Sequence, residues 1–386
     1  MLKTILFAAS LACLAPSATH AQSKQFELGP YSSSHRDADL VSPKSALFHP
    51  TLPKLYINAL EAGKTVVYST ETFSKLKAVE HKFADHQTLG PGTRFYGKPV
   101  EGWFTHEGRY LWVTYYRFSD DPHSSRASGF SVIDTRTDQI VKTYPTGNIP
   151  KFVTANESGT VLAVTLWGEN KVEFHDVKDP LNAKLVKTVA VGGPVRAAVG
   201  SDRDKTCGLC LRGTAFLPKS DLVVVARMGG GGLALIDSAK GAVVRNLFNV
   251  PATPRHLQVY ADYLYLSANA SGTVARIKIT DLVRAASEPS YLPPVQSRKV
   301  GAGARTLKVA DDKVYVSLNL SKKVLSMNLD FSDIREVDAP AFPVGLDVKG
   351  DTLVVTSQGR QGVGGHRVAV YKLETNPGSR ALNTPR

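Results

Sequence analysis

Phe130-Ser-Val-Ile-Asp-Thr-Arg-Thr-Asp-Gln-Ile-Val-Lys-Thr143 is an apolar, β-branched run, an Asp-containing turn and a second β-rich run. Such alternation between Gly, Asn, Asp and Pro marks short antiparallel strands. The phrase returns at Leu233-Ala-Leu-Ile-Asp-Ser-Ala-Lys-Gly-Ala-Val-Val244, with weaker copies at Glu173-Phe-His-Asp176 and Ala369-Val-Tyr-Lys372. Upstream stand companion runs: Leu55-Tyr-Ile-Asn58, Leu111-Trp-Val-Thr114, Leu162-Ala-Val-Thr165, Val223-Val-Val-Ala226, Leu264-Tyr-Leu-Ser267, Val314-Tyr-Val-Ser317 and Leu353-Val-Val-Thr356. Asp134 and Asp176 lie 42 residues apart, as do Asp237 and Ile279. Four short strands in roughly 40–45 residues is the period of a propeller blade. The expected fold is an all-β, seven-bladed β-propeller of four-stranded antiparallel blades, over residues 41–377. No helix of ten residues or more is expected, and Asp281 to Ala286 supplies one or two turns.

The first residues read differently. Lys3 gives a positive start, Ile5 to Leu14 a short apolar stretch, and Thr19-His20-Ala21 the small residues of a cleavage site. That stretch is shorter than the roughly 20 apolar residues a membrane span needs. Residues 1–21 are therefore expected to be a signal peptide, cleaved near Ala21, and the mature protein periplasmic or secreted. A lipoprotein anchored at Cys13 is the weaker alternative, because Ser10-Leu11-Ala12 makes a poor lipobox. Residues 22–40 form an N-terminal segment that could close the last blade, and 378–386 a C-terminal tail.

Once Cys13 leaves, two cysteines remain, Cys207 and Cys210, in Thr-Cys-Gly-Leu-Cys. In an oxidising compartment such a pair is expected to form a small disulfide. A c-type haem would need His after the second Cys, where Leu211 stands. Zinc or copper is the weaker reading, because two thiolates need further ligands and no His lies close by in sequence.

The repeated phrases resemble those of the YVTN-repeat β-propellers, the YncE-like and lactonase-like group, over nearly all of residues 22–386. The best-matching stretches are Phe130 to Thr143, continuing to Gly147, and Leu233 to Val244. That resemblance implies the propeller fold. It does not imply one activity, since the group holds both enzymes and binding proteins.

Departures from the period are more informative. Residues 84–98 and 193–210 lengthen blade-to-blade links, while 116–129 and 357–367 lengthen mid-blade links. Both link types open on the same face of a propeller, where binding groups gather on long loops. Aligning the inner strands on their apolar anchors places Lys44, Glu101, Lys151, Arg212, Arg255, Arg305 and Val344 in one ring. Two residues further in stand Ala46, Trp103, Val153, Thr214, Leu257, Leu307 and Leu346, a mostly apolar ring. The expectation is a cationic rim above an apolar plug. Arginine forks suit carboxylate and phosphate, and Arg94, Tyr96, Arg117, His123, Arg126, Arg203, Lys205, Arg227, Arg360, His366 and Arg367 add to the loops. The net charge of +13, or +12 without Lys3, points the same way.

No Gly-x-Ser-x-Gly elbow, His-Glu-x-x-His helix, P-loop or dinucleotide fingerprint occurs. Asp120-Asp121-Pro-His123 could hold a hard cation, but a turn explains it, and no metal or cofactor is expected. Glu101 and His256 are the weak candidates for an acid–base pair. Tyr96, Tyr115, Tyr116 and Trp167 could stack on bases or sugars, although aromatics at strand ends are more often packing residues. Two functional classes follow. The first is an exported, monomeric, non-enzymatic binding module. Its cationic face takes an acidic ligand or partner: single-stranded DNA or other nucleic acid, an acidic glycan, or a small carboxylate or phosphate. The binding residues would be Lys44, Glu101, Lys151, Arg212, Arg255, His256 and Arg305. The YncE-like resemblance implies this class. The alternative is a lactone-type hydrolase or lyase acting on a small anion. The metal-using lactonases of the group need several carboxylates at the channel mouth, and this ring offers one.

Overall fold

The strand-forming runs assemble as the repeat requires. A computed structural model describes residues 23–83, 95–116, 128–196, 201–202, 205–359 and 365–373. The expected signal peptide, the tail 378–386 and Asp120-Asp121-Pro-His123 lie outside them. Seven four-stranded antiparallel blades form a propeller, the last extended into a five-stranded sheet by His35–Arg36, which pairs parallel with Ser23–Gly29. The inner strands are Pro43–Phe48, Pro99–Thr105, Pro150–Ala155, Leu211–Phe216, Pro254–Tyr260, Ala304–Ala310 and Pro343–Lys349, numbered here as blades 1 to 7. In blades 1 to 6 the four strands follow in chain order from the channel outward. Blade 7 takes its outer strand from the other end of the chain. Ser23–Gly29 pairs antiparallel with Arg367–Lys372, Leu28 facing Val368, and so ties the N-terminal segment to the last blade.

Second strands are buried along almost their whole length, which is why they read as continuous apolar runs rather than alternating ones. Outer strands alternate and carry lysines, as in Lys75–Glu80 and Lys184–Ala190. The core is correspondingly divided into one apolar cluster per blade interface. Leu235 and Leu257 meet between blades 4 and 5, and Val354 and Ile57 between blades 7 and 1. Each fully buried Val or Leu contributes about 1.5–3 kcal/mol. Helix Ile279–Ser287 is somewhat longer than the sequence suggests. It buries Leu282 and Ala285 against the blade 4–5 cluster.

One local device recurs in every inner strand. Its first residue pairs with the last residue of the second strand, as Pro43 does with Ala59 and Pro254 with Ala268. Pairing then slips by one residue, a β-bulge, in all seven blades. Five of these first residues are Pro, which lacks an N–H and fits a strand's opening position. The bulge takes a carbonyl out of the ladder, and a hydroxyl from the preceding blade accepts the task of pairing it. Thr165 donates to Arg212 O at 2.9 Å, Ser267 to Arg305 O at 2.6 Å and Thr356 to Lys44 O at 3.2 Å. Thr306 donates to Val344 O at 2.5 Å. These hydroxyls latch neighbouring blades at one depth in the channel.

Candidate functional site

The bulge decides where the cations go. Lys44, Lys151, Arg212, Arg255 and Arg305 each occupy the slipped position just after the first pair of an inner strand. They stand at one end of the channel, in blades 1, 3, 4, 5 and 6. Lys44, Lys151, Arg212 and Arg255 are buried and Arg305 half-buried. Val344 fills the position in blade 7.

Blade 2 differs from the expectation. Gly102 pairs with Val113 as Ala46 pairs with Ile57, and Phe104 with Leu111 as Phe48 with Leu55. The ring position in blade 2 therefore belongs to Val100, not Glu101. Glu101 sits one residue deeper, level with Ser45 and His256, and the apolar layer takes Gly102 instead of Trp103. The sequence alignment took Thr105 as the apolar anchor, whereas the strand pairs through Phe104.

Glu101 still reaches the cations. Its Oε1 lies 3.3 Å from Lys44 Nζ, with 16% of the Glu101 side chain exposed against 6% for Lys44. Burial holds the Lys44 ammonium well below its ordinary value; Glu101 opposes this, and Arg305, Arg212 and Arg255 lower it further. For Glu101, burial pushes upward, but Lys44, Arg212 and His256 outweigh it and keep the carboxyl below the usual range. His256 falls to about 4, first through burial and then through Arg212, Arg255 and Lys308, against the pull of Glu101. These groups sense one another, so they share one site. His256 packs edge-on against Phe152, with ring centroids 5.0 Å apart, and its buried Nδ1 has no hydrogen-bond partner among the described residues.

An aromatic and sulfur collar surrounds the ring on the side of blades 2 to 4. Lys151 Nζ lies 3.5 Å from the centre of the Tyr116 ring and 4.9 Å from that of Trp167. Arg212 stands 5.7 Å from the Trp167 ring and donates through Nη1 to Lys151 O at 3.5 Å. Arg255 Nη1 donates to Met228 Sδ at 3.1 Å. Cys207 and Cys210, joined as a disulfide with Cα atoms 4.8 Å apart, pack with Ile149, Trp167, Tyr116 and Met228. The pair is thus part of the wall of the mouth. Tyr116 and Trp167, two of the strand-end aromatics, flank the Lys151 ammonium. Met228 was missed, yet it follows a second strand just as Tyr116 and Trp167 do, a periodic signal present in the repeat.

Other expected loop residues disperse. Arg367 pairs with Glu27 at 3.1 Å, Arg227 donates to Asn246 at 3.0 Å, and His366 accepts from the Ser42 N–H at 2.9 Å. Arg94, Arg117, His123, Arg126, Arg203 and Arg360 lie outside the described residues. Among the described residues no group of three His, Cys, Asp or Glu is placed to hold a metal ion. No helix among them is long and apolar enough to cross a membrane.

The opposite end of the channel opens into a cavity of about 1880 Å³, with Trp103, Phe216 and Leu257 on its wall. Of the charges on its wall, Lys308 Nζ lies 2.7 Å from Asp347 and Lys349 donates to His49 O at 2.6 Å, while Arg136 and Lys219 are exposed.

No family model matches the chain, and no curated protein matches it. Solved structures show the fold alone. The chain is similar to the Myceliophteria thermophila Cps50 (Swd1) β-propeller domain at 10% identity and TM-score 0.66, over 92% of this chain and 100% of that one. A chain of the Kuenenia stuttgartiensis hydrazine synthase is similar at 14% identity and TM-score 0.60, over 89% and 99%. A chain of a mitotic checkpoint complex reaches TM-score 0.63 at 10% identity, over 97% and 100%.

Proposed function

We propose that this chain is an exported, non-enzymatic propeller that binds a small anion at the cationic end of its channel. The observation that carries this reading is the convergence of Lys44, Lys151, Arg212, Arg255 and Arg305 on one depth, held there by the repeated bulge. Burial depresses Lys44 most, and Arg305, Arg212 and Arg255 lower it further, a repulsion that an anion among them would relieve. Four of the five are buried. Burial favours a compact carboxylate or phosphate over a nucleic-acid backbone, which needs cations on an open surface. Export rests on the N-terminal pattern, and the disulfide fits an oxidising compartment. The likeness to YncE-like repeats agrees with a binding role.

The lactone-type alternative fares worse. Glu101 is held ionised beside Lys44, a poor proton donor, and His256 is neutral at pH 7 behind a burial penalty. Calorimetric titration of the mature protein with phosphate, small carboxylates and single-stranded DNA across a salt series tests the reading. Small-anion binding that weakens by about 100-fold in Arg212→Ala/Arg255→Ala supports it. Steeply salt-dependent DNA binding without small-anion binding would replace it with a nucleic-acid module.

A further inference from the structure

The cationic ring attracts any anion, but the layer beneath it does not treat all anions alike. Strand pairing puts Glu101 and His256 at the same depth, one residue further in than the cations. Each belongs to a blade that differs from its neighbours there: Ser45, Phe152, Gly213, Thr306 and Gly345 occupy that depth in the others. Two of those are glycines with no room to change. A Cβ on Gly213 would lie 2.7 Å from Arg255 O, and one on Gly345 would lie 2.5 Å from Lys44 O. Of the hydroxyls in this layer, Ser45 Oγ accepts from Asn58 and Thr306 donates to Val344 O, and Glu101 and His256 are its titratable groups.

Glu101 presents an acceptor: it is ionised, has Lys44 on one oxygen and keeps part of its side chain exposed. A carboxylate can only accept hydrogen bonds. His256 Nδ1 is buried without a hydrogen-bond partner among the described residues, and a hydroxyl satisfies either tautomer because it both donates and accepts.

Resting on the anion-site reading above, we propose that this site selects anions that carry their own hydroxyl donor. Monohydrogen phosphate and small hydroxycarboxylates have this chemistry; sulfate and simple carboxylates do not. A donor-bearing anion places charge against the arginines and its O–H toward Glu101. A donorless anion of the same size sets oxygen against the Glu101 carboxylate and leaves that acceptor unmatched.

Two matched pairs test this by calorimetry on the intact mature protein at pH 7.5: phosphate against sulfate, and lactate against propionate. The expected result is a preference of roughly ten- to a hundred-fold for the hydroxyl-bearing member of at least one pair. The pair that shows it separates phosphate from hydroxycarboxylate as the ligand class. In Glu101→Gln, whose amide can donate, the preference should fall to within about threefold. Equal affinity within both pairs in the wild-type protein would overturn the selectivity and leave the anion site standing. Binding of none of the four would overturn both. Should Glu101→Gln fail to fold, the wild-type ratios decide the matter alone.

Discussion

The two ends of the channel are built from the same seven strands, yet they arrange charge differently. At the end with the cavity, Lys308 pairs with Asp347 at 2.7 Å, and Lys219 and Arg136 stand exposed on its wall. At the other end five cations share one depth: Lys44 pairs with Glu101, and Tyr116, Trp167 and Met228 wrap Lys151, Arg212 and Arg255. Burying like charges at one depth is costly. The contrast teaches that the repeat, which sets one residue per blade at each depth, gathers like charge at one end and leaves it scattered at the other.

Acid is the perturbation that should strike both ends, and strike hardest. Burial lowers His81 to about 3 and His256 to about 4, from an ordinary 6.5, and His49 at the cavity end is lowered too. The unfolded chain then binds more protons than the folded one between pH 6.5 and those values. Stability is intact above 6.5 and falls with pH, by about 1.4 kcal/mol per unit for each fully buried histidine. Chemical denaturation at pH 7 and pH 4.5 should show this loss, and His81→Gln should flatten the slope by one histidine's share. An unchanged slope would remove His81 from the account.

Charge removal should separate the ends. Arg212→Ala/Arg255→Ala is expected to weaken binding of the preferred small anion by about 100-fold. Lys219→Ala/Arg136→Ala, which removes exposed cations bordering the cavity, should leave it within about twofold. Equal losses would mean the anion responds to net charge and not to the ring.

Smaller effects belong to the scaffold. Thr356→Val removes the hydroxyl that pairs Lys44 O and should cost about 1–2 kcal/mol in urea unfolding. Because that latch fixes the bulge bearing Lys44, anion affinity should fall with it by severalfold. Blade 4 has Ala226 where other blades carry a polar latch residue, a natural version of the missing hydroxyl. Cys207→Ser/Cys210→Ser should move anion affinity least, by less than about threefold, while removing a bond that closes a very short loop and is worth about 2 kcal/mol of stability.

Much of this was legible in the chain. Seven phrases at a propeller's spacing sufficed for the fold, because a blade cannot bury its faces alone and the repeat records that need. Five of the ring cations could be found by counting back from an apolar anchor. Blade 2 defeated the count: Trp103, Phe104 and Thr105 all follow Gly102, and apolar residues stand on consecutive positions. With a period of two, a slip of one residue sends every side chain to another place. Only the pairing of Phe104 with Leu111 decides it.

The sequence by itself determined what is periodic or local: the seven blades, the Cys207–Cys210 pair and the cationic positions on successive inner strands. Tertiary structure alone decided what depends on distance across the channel. It set Glu101 against Lys44, seated Lys151 between Tyr116 and Trp167, and put Arg255 on Met228. It also joined Ser23–Gly29 to a strand more than 300 residues away. Repeats encode each blade's own contacts, whereas charges brought together from separate blades interact only once the ring has closed.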